Sequence, residues 1–191
     1  MPLHDQLAIA LKEWHAVCQA LASGRQTILL RKGGISESMS GFDVEHSQFL
    51  FFPTYVHQNL AMLKPEVHAG FTPHASEPST ITIDLAGEVT DIIQLKHRSQ
   101  MDALDSEHVW TPPLIDLRFN YRPQNPLYLL IVRASRLVTP VTMSNTAAYG
   151  GCKSWVPLDA AVDCRHMEPA MSDDSFRARV RSIRSVLGGP G

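Results

Sequence analysis

Six apolar residues in succession, Leu127-Tyr-Leu-Leu-Ile-Val132, closed by Arg133, set the first constraint on the fold. The run is far short of the roughly 20 apolar residues of a membrane helix. Apolar on both faces, it reads as a central strand of a sheet, with neighbours on both sides. The chain must therefore supply other strands. Thr27 to Arg31 and Gln48 to Phe52 are candidates, the second halted by Pro53. Two further runs lie between Thr80 and Lys96 around Ala86-Gly87, and Leu137 to Met143 extends the central run, with Pro140 marking an edge or a bend.

Helical spacing predicts an N-terminal helix carrying Leu3, Leu7, Ala10, Leu11, Trp14, Val17, Cys18 and Leu21, with Gly24 as its C-cap and Lys12 and Glu13 off its apolar face. Short helices are expected over 55–63, with Leu60 and Leu63 inward, over 99–109, and from Pro112-Pro113 to before Pro123. A last helix spans 173–187. Ser172 caps it, Asp173 and Asp174 complement its positive end, and Phe176, Val180, Ile183 and Leu187 form its stripe. Segment 64–80 reads as loop, 36–41 as a polar stretch, and the residues after Trp155 as a mixed linker. Many short strands without βαβ alternation point to one α+β domain: a small, curled, mostly antiparallel sheet or barrel with packed helices.

Composition excludes several classes. With 44% hydrophobic and 19% charged residues in 191, the chain can build an ordinary core and is not a disordered tail. A net charge of -2 advertises no global affinity for nucleic acid, although a local basic patch is compatible with it. Met1-Pro2-Leu3-His4-Asp5 lacks the basic start and apolar run of a signal peptide. The three cysteines, Cys18, Cys152 and Cys164, show no paired spacing, which argues against a disulfide framework and for a reducing, cytoplasmic setting.

Four constellations carry candidate chemistry. Arg31 and Lys32 precede Gly33-Gly34, and Lys153 follows Gly150-Gly151; glycine turns present backbone N–H groups to anions, and adjacent cations reinforce them. With Arg133 these cations are expected on one rim, and Tyr149, Trp110 and Trp155 are candidate stacking platforms for bases. The arginines of the last helix can track a phosphate backbone or form a solvated face. Glu45, His46, His57 and Gln58 flank the aromatic strand and offer acid–base or polar binding groups, without a recognised metal spacing. Asp84 with Gln94 and Lys96 has the outline of a restriction-type nuclease site, the only reading that calls for a cofactor, Mg²⁺. Cys152 beside Lys153 is a candidate nucleophile. Each group also has a plain structural reading as turn, core or solvated surface.

Several phrases are recognisable together: Leu11-Lys12-Glu13-Trp14, Leu30-Arg31-Lys32-Gly33-Gly34-Ile35, Val44-Glu45-His46, Phe52-Pro53-Thr54-Tyr55 with His57-Gln58, Leu63-Lys64-Pro65, His108-Val109-Trp110-Thr111, and Tyr149-Gly150-Gly151-Cys152-Lys153-Ser154-Trp155. They resemble a bacterial family known as domain of unknown function 1802, across about Leu11 to Trp155. The resemblance implies no activity; it implies an association with Mrr-type restriction endonuclease domains, and through it with DNA. A more distant resemblance is to the ASCH branch of the PUA-like β-barrels. It rests on Gly24 and Arg31, which match the ends of a Gly-x-Lys-x-x-Glu-x-Arg pattern in which Gln26 and Leu29 replace the inner polar residues. Gly87-Glu88-Val89-Thr90-Asp91 is its second phrase. This likeness implies a small PUA-like barrel used mainly to bind RNA or modified nucleotides. A hydrolase activity is not carried over, because Gln26 and Leu29 supply neither amine nor hydroxyl. The expectation is a nucleic-acid or nucleotide binding module, accessory to restriction or defence, with a metal-dependent nuclease or small hydrolase acting on nucleic acid, or a non-catalytic interaction domain docking through the last helix, as the alternatives.

Overall fold

In the computed structural model, which describes residues 4–32, 35–38, 41–72, 74–151 and 153–188, the run Leu127–Val132 is hydrogen-bonded on both sides within a seven-stranded sheet. In chain order the elements are β1 (Gln6–Trp14), α1 (His15–Ala22), β2 (Ile28–Arg31), β3 (Ile35–Ser38), β4 (Gly41–Val44) and β5 (Gln48–Thr54). Then come β6 (Thr80–Leu95), α2 (Ser99–Asp102), α3 (Pro112–Asn120), β7 (Leu127–Ser144), β8 (Trp155–Asp163), β9 (Met167–Pro169) and α4 (Asp173–Val186). Strands run in the order β2-β7-β6-β5-β1-β8, with β9 beside β7 and β3-β4 as a separate pair. The sheet is unclosed. Every neighbour is antiparallel except β1 and β5. No helix among the described residues is long and apolar enough to cross a membrane.

The sheet is buried on both faces, so it carries two cores. Leu11, Phe49, Phe51 and Leu85 face one, which α1, α3 and α4 cover with Val17, Leu21, Leu114, Ile115, Phe176, Val180 and Ile183. Ala10, Leu50, Phe52 and Ala86 face the other. That second core also collects Leu137 from β7 and Val162 from β8, strands far apart in the sheet order, so the sheet curls around it.

The N-terminal helix expected to reach back to Leu3 is instead mostly a strand, followed by the eight-residue α1. The misleading periodicity has a cause. The β1–β8 register shifts between Leu7 and Ile9. That bulge reverses the alternation of faces, so Leu7 and Ala10 enter the same core three residues apart, as on a helix. Gly24, at φ +70°, does follow α1 in the left-handed conformation that ends helices.

The expected pair of strands around Ala86-Gly87 is one strand of 16 residues. Gly87 turns nothing. A Cβ there would lie 2.8 Å from Phe51 Cε2 and 2.9 Å from Val132 Cγ1. Glycine makes room for the aromatic rings crossing the sheet. Gly87→Ala is therefore expected to destabilise by about 1–3 kcal/mol through overpacking, read as a lower midpoint in urea unfolding with unchanged slope.

Segment 55–63 forms only a 3-10 turn at Leu60–Met62, with Leu63 buried but Leu60 exposed. Segment 64–80 is mostly loop but holds a 3-10 helix, Pro65–Gly70. The polar stretch 36–41 falls largely within the β3–β4 pair. The expected mixed linker after Trp155 is β8, whose Val156, Leu158 and Val162 point into the second core. Helix α4 packs on its own domain. Ser172 Oγ accepts the Ser175 N–H at its start.

Strand β6 ends at Leu95, which pairs with Leu127 at the start of β7. Everything from Lys96 to Pro126 is thus an excursion between two hydrogen-bonded neighbours. It contains α2 and α3 and contributes Met101, Leu104, Val109, Trp110, Leu114 and Ile115 to the first core.

Candidate functional site

Because β1 and β5 run parallel, their C-terminal ends lie together, and a cavity of about 600 Å³ opens there. Lys12, Glu13 and Trp14 of β1, Arg31 of β2, Arg118 of α3 and Lys153 line it. So do Thr54 at the end of β5, His57 after it, Glu77, and Ala147, Tyr149, Gly150 and Gly151. Among the described residues, four cations thus share one cavity with two carboxylates.

Glu13 sits at the bottom of this arrangement, 7% exposed. Its Oε2 accepts from Arg31 Nη2 at 2.8 Å, and its Oε1 accepts the Trp14 N–H at 2.8 Å. Arg31 Nη2 also donates to the Lys12 carbonyl at 3.1 Å. Arg31 is therefore held in place, while among the described residues its buried Nε has no hydrogen-bond partner. Among the described residues Arg118 makes neither a hydrogen bond nor an ion pair. Burial lowers its pKa from the ordinary arginine range; the Glu13 carboxylate opposes this and the nearby Arg31 charge adds to it. Glu13 thus binds one guanidinium group directly and attracts a second that lines the same cavity.

The rim is more open. Lys12 Nζ donates to the Gly151 carbonyl at 3.0 Å and lies over the Phe52 ring. Gly151, at φ +80°, takes a conformation that favours glycine, and this turns the chain toward Lys153, which is exposed. Glu77 is committed elsewhere: its carboxylate accepts the backbone N–H groups of Tyr55 and Val56 at 3.0–3.1 Å.

Of the expected binding residues, Arg31, His57, Tyr149 and Lys153 line this cavity together with Gly150 and Gly151. Gly33, Gly34 and Cys152 lie outside the described residues. Lys32 does not join the rim. Its ammonium donates to the carbonyls of Phe119 and Tyr121, both at 2.7 Å, and of Arg122 at 3.4 Å, closing the C-terminal end of α3. Such carbonyls lack partners within a helix, so a cation there is stabilising. Lys32→Ala is expected to cost about 1–2 kcal/mol, measured by chemical unfolding. Arg133 is also elsewhere. It pairs with Asp173 at the start of α4 and lies over the Phe176 ring.

The aromatic platforms are mostly occupied. Tyr149 is buried, its hydroxyl donates to Asp159 Oδ2 at 2.8 Å, and its ring packs edge-on against Phe52. Trp155 meets Phe49 and His46 edge-on, and Trp110 is core. Trp14, read as part of a helix face, is the large aromatic that reaches the cavity half-exposed. Gln58 serves structure: its Oε1 accepts the Ala16 N–H at 2.8 Å at the start of α1. The arginines of α4 act largely as clamps. Arg179 pairs with Glu107 and donates to the Gly24 carbonyl, and Arg184 pairs with Asp91.

Glu45, His46 and His57 do not meet. Glu45 and His46 line a separate depression with His4, and His57 lies at the main cavity. Asp84, Gln94 and Lys96 do not meet either. Asp84 and Gln94 are on one strand rather than on two, so at about 3.3 Å per residue they are on the order of 30 Å apart. Asp84 instead faces His15. Burial raises the Asp84 pKa while His15 opposes the rise, and burial lowers that of His15. His15 stacks on Tyr55 at 4.8 Å, and His74 tilts against the same ring at 4.9 Å. No group of three or more His, Cys, Asp or Glu among the described residues is arranged to hold a metal.

The phrases gathered in the cleft fall within a match to one family model, described as Domain of unknown function (DUF1802), over residues 10–182. The chain belongs to the DUF1802 family. Among curated proteins none matches it. Among solved structures, this DUF1802 domain is similar to the crystal structure of ASCH from Zymomonas mobilis, with 9% identity and a TM-score of 0.43 over 91% of this chain and 93% of that one. It is also similar to a tyrosine-to-phenylalanine variant of the same protein, with 9% identity and a TM-score of 0.45 over 91% of this chain and 96% of that one.

Proposed function

We propose that this protein is a nucleic-acid or nucleotide binding module and that the cleft at the ends of β1 and β5 is its binding site. One observation carries the reading: Lys12, Arg31, Arg118 and Lys153, distant in sequence, line a single cavity to which the described residues contribute two carboxylates, Glu13 and Glu77. The chain as a whole is acidic, with a net charge of -2, so this local excess of positive charge stands against the general trend. Phosphate groups are the anions such a cleft fits, because guanidinium forks and ammonium groups bind them with charge-assisted hydrogen bonds.

The test is fluorescence anisotropy with labelled single- and double-stranded RNA and DNA at two salt concentrations. Wild type is expected to bind at least one of them with a salt-dependent affinity. Lys12→Ala/Lys153→Ala, which removes rim charge, is expected to weaken binding by about tenfold or more and to flatten the salt dependence. Binding unchanged in the double variant would move the site away from this cleft. Absence of binding to every nucleic acid and nucleotide, by protein that melts cooperatively, would end the proposal.

A further inference from the structure

Glu77, Pro78 and Ser79, which wall the cleft on one side, belong to a short strap, residues 74–79, that leads into β6. One end of the strap is fixed. The Ser79 carbonyl accepts the Asn145 N–H at 2.8 Å, and the Pro78 carbonyl accepts from Asn145 Nδ2 at 2.9 Å. Next to that end, Glu77 accepts the Tyr55 and Val56 N–H groups. At the other end His74 rests on the Tyr55 ring, with 4.9 Å between centroids, and His15, the first residue of α1, stacks on the same ring at 4.8 Å. We infer that these three rings form a proton-operated latch: protonation of His15 and His74 frees the strap, lifts Glu77 from the chain after β5 and opens one wall of the cleft.

The arrangement works against charge on the two imidazoles. Both touch one ring, so they lie less than about 10 Å apart, close enough for two positive charges to repel. Neutral imidazoles meet across Tyr55 without that cost. A protonated imidazole also carries two N–H donors. Among the described residues, neither His15 nor His74 makes a side-chain hydrogen bond or an ion pair, so each charge is better solvated away from the stack. A cation–π attraction to Tyr55 favours one charged ring but gives its N–H groups no acceptor. Burial lowers the His15 pKa, with Asp84 opposing and His74 adding to the shift. Asp84 faces the rings from β6, where the register against β7 shifts. Cys18 and Glu77 are the other titratable groups nearby. Burial raises the Cys18 thiol well above its ordinary range, and burial also raises the Tyr55 hydroxyl, with Cys18, Asp84 and Glu77 adding to it. A histidine whose pKa is lowered in the latched form takes up its proton more readily in the released form. The latch therefore holds above about pH 6.5 and weakens as pH falls below it.

The Tyr55 and Val56 amides sense the strap directly, because Glu77 is their acceptor. Their hydrogen exchange is followed by nuclear magnetic resonance between pH 7.5 and 5.5, on the whole chain without ligand, and corrected for the intrinsic pH dependence of exchange. Protection of both amides is expected to fall several-fold toward pH 5.5, along the curve on which the His15 and His74 ring protons titrate. The Val132 N–H, bonded to the Thr27 carbonyl at 2.7 Å inside the sheet, is expected to stay the more protected at every pH, which marks the opening as local. His15→Gln stays polar and cannot be charged, so it is expected to flatten the profile, and His74→Gln likewise. His166→Gln, at an exposed position after β8, is expected to keep it. The melting temperature of each variant establishes that it folds. The match between exchange and ring titration in the wild type gives a reading that needs no variant.

Protection that does not change with pH, or that changes equally in wild type and folded His15→Gln, would overturn the latch. So would ring titrations out of step with the exchange. These outcomes leave the binding reading above untouched, because no ligand is present in the experiment. Conversely, a strap that opens on acidification in a protein that binds no nucleic acid or nucleotide would support the latch and end that reading.

Discussion

Glu13→Ala lowers the stability of this protein by about 3–5 kcal/mol, the cost of leaving a buried cation without its partner. The glutamate is 7% exposed and bonds both Arg31 and the Trp14 N–H. Its removal leaves the Arg31 guanidinium without its carboxylate, takes away a negative charge that also stabilises Arg118, and leaves a backbone N–H unpaired. In a chain of this length the loss corresponds to a melting temperature lower by roughly 10 °C. Arg31→Ala strands the carboxylate in the same way and is expected to cost a similar amount. In Glu13→Ala/Arg31→Ala both charges are gone, so the double variant is expected to be more stable than the sum of the two losses implies, the signature of coupled neighbours. Strict additivity would mean that the pair is not coupled.

The second large effect is a pH dependence centred on His108. This histidine is 4% exposed beneath α2 and α3, stacked on Trp110, with Nδ1 accepting the Trp110 N–H at 3.3 Å. Burial first, then the charge of Lys64, lowers its pKa to about 4, with Asp105 opposing. In the unfolded chain the same imidazole titrates near its ordinary value of about 6.5. Between those values the unfolded state binds a proton that the folded state refuses, so stability falls as pH drops from about 6.5 toward 4. The full loss is on the order of 3 kcal/mol. Above about pH 7 the group contributes no slope. His108→Gln keeps the size and polarity and removes the titration, so its stability is expected to be flatter than wild type across this window. Urea unfolding at pH 7.5, 6 and 5 measures the difference. Parallel curves for the two proteins would show that His108 is not the proton-linked group. The comparison between variants is needed because Asp84, whose pKa is raised by burial, acts in the opposite direction on acidification.

The last helix, the central strand and the glycine that ends α1 were all legible in the sequence, because each is written locally: in a capping serine, an unbroken apolar run, and a residue at positive φ. The first segment was not, because a bulge at Leu7–Ile9 gives a strand the spacing of a helix. That misreading also hid half of the cleft. Read as helix, Lys12 and Glu13 fell on a solvent face, whereas in the strand Glu13 is buried and Lys12 reaches Gly151. The meeting of Arg31 with Lys153 was readable from two cations beside two glycine turns. Lys32 carried the same signal yet closes a helix end, and Arg133, which closes the apolar run, pairs with the start of another helix, since a cation's place in the sequence does not reveal which carbonyl or carboxylate it will find. Arg118 had no local signal. It belongs to the cleft only because the β6–β7 ladder brings an excursion of the chain over the ends of β1 and β2.

That ladder has a consequence for how such a cleft can change. Leu95 and Leu127 are direct partners, so the two ends of the excursion stand about 5 Å apart. The segment between them is grafted onto the sheet as a hairpin loop is, and its length is free of the register on either side. Segments of other lengths and compositions, provided they replace its buried residues and its bridge from Trp110 to Leu63, can be exchanged at that junction without disturbing a rung of the β6–β7 ladder. Each exchange would rebuild the wall that now holds Arg118 while leaving Glu13, Arg31 and Lys153 where they are. If the proposed site holds, a fixed floor with an interchangeable wall would let one scaffold serve ligands that share an anionic group and differ in everything attached to it.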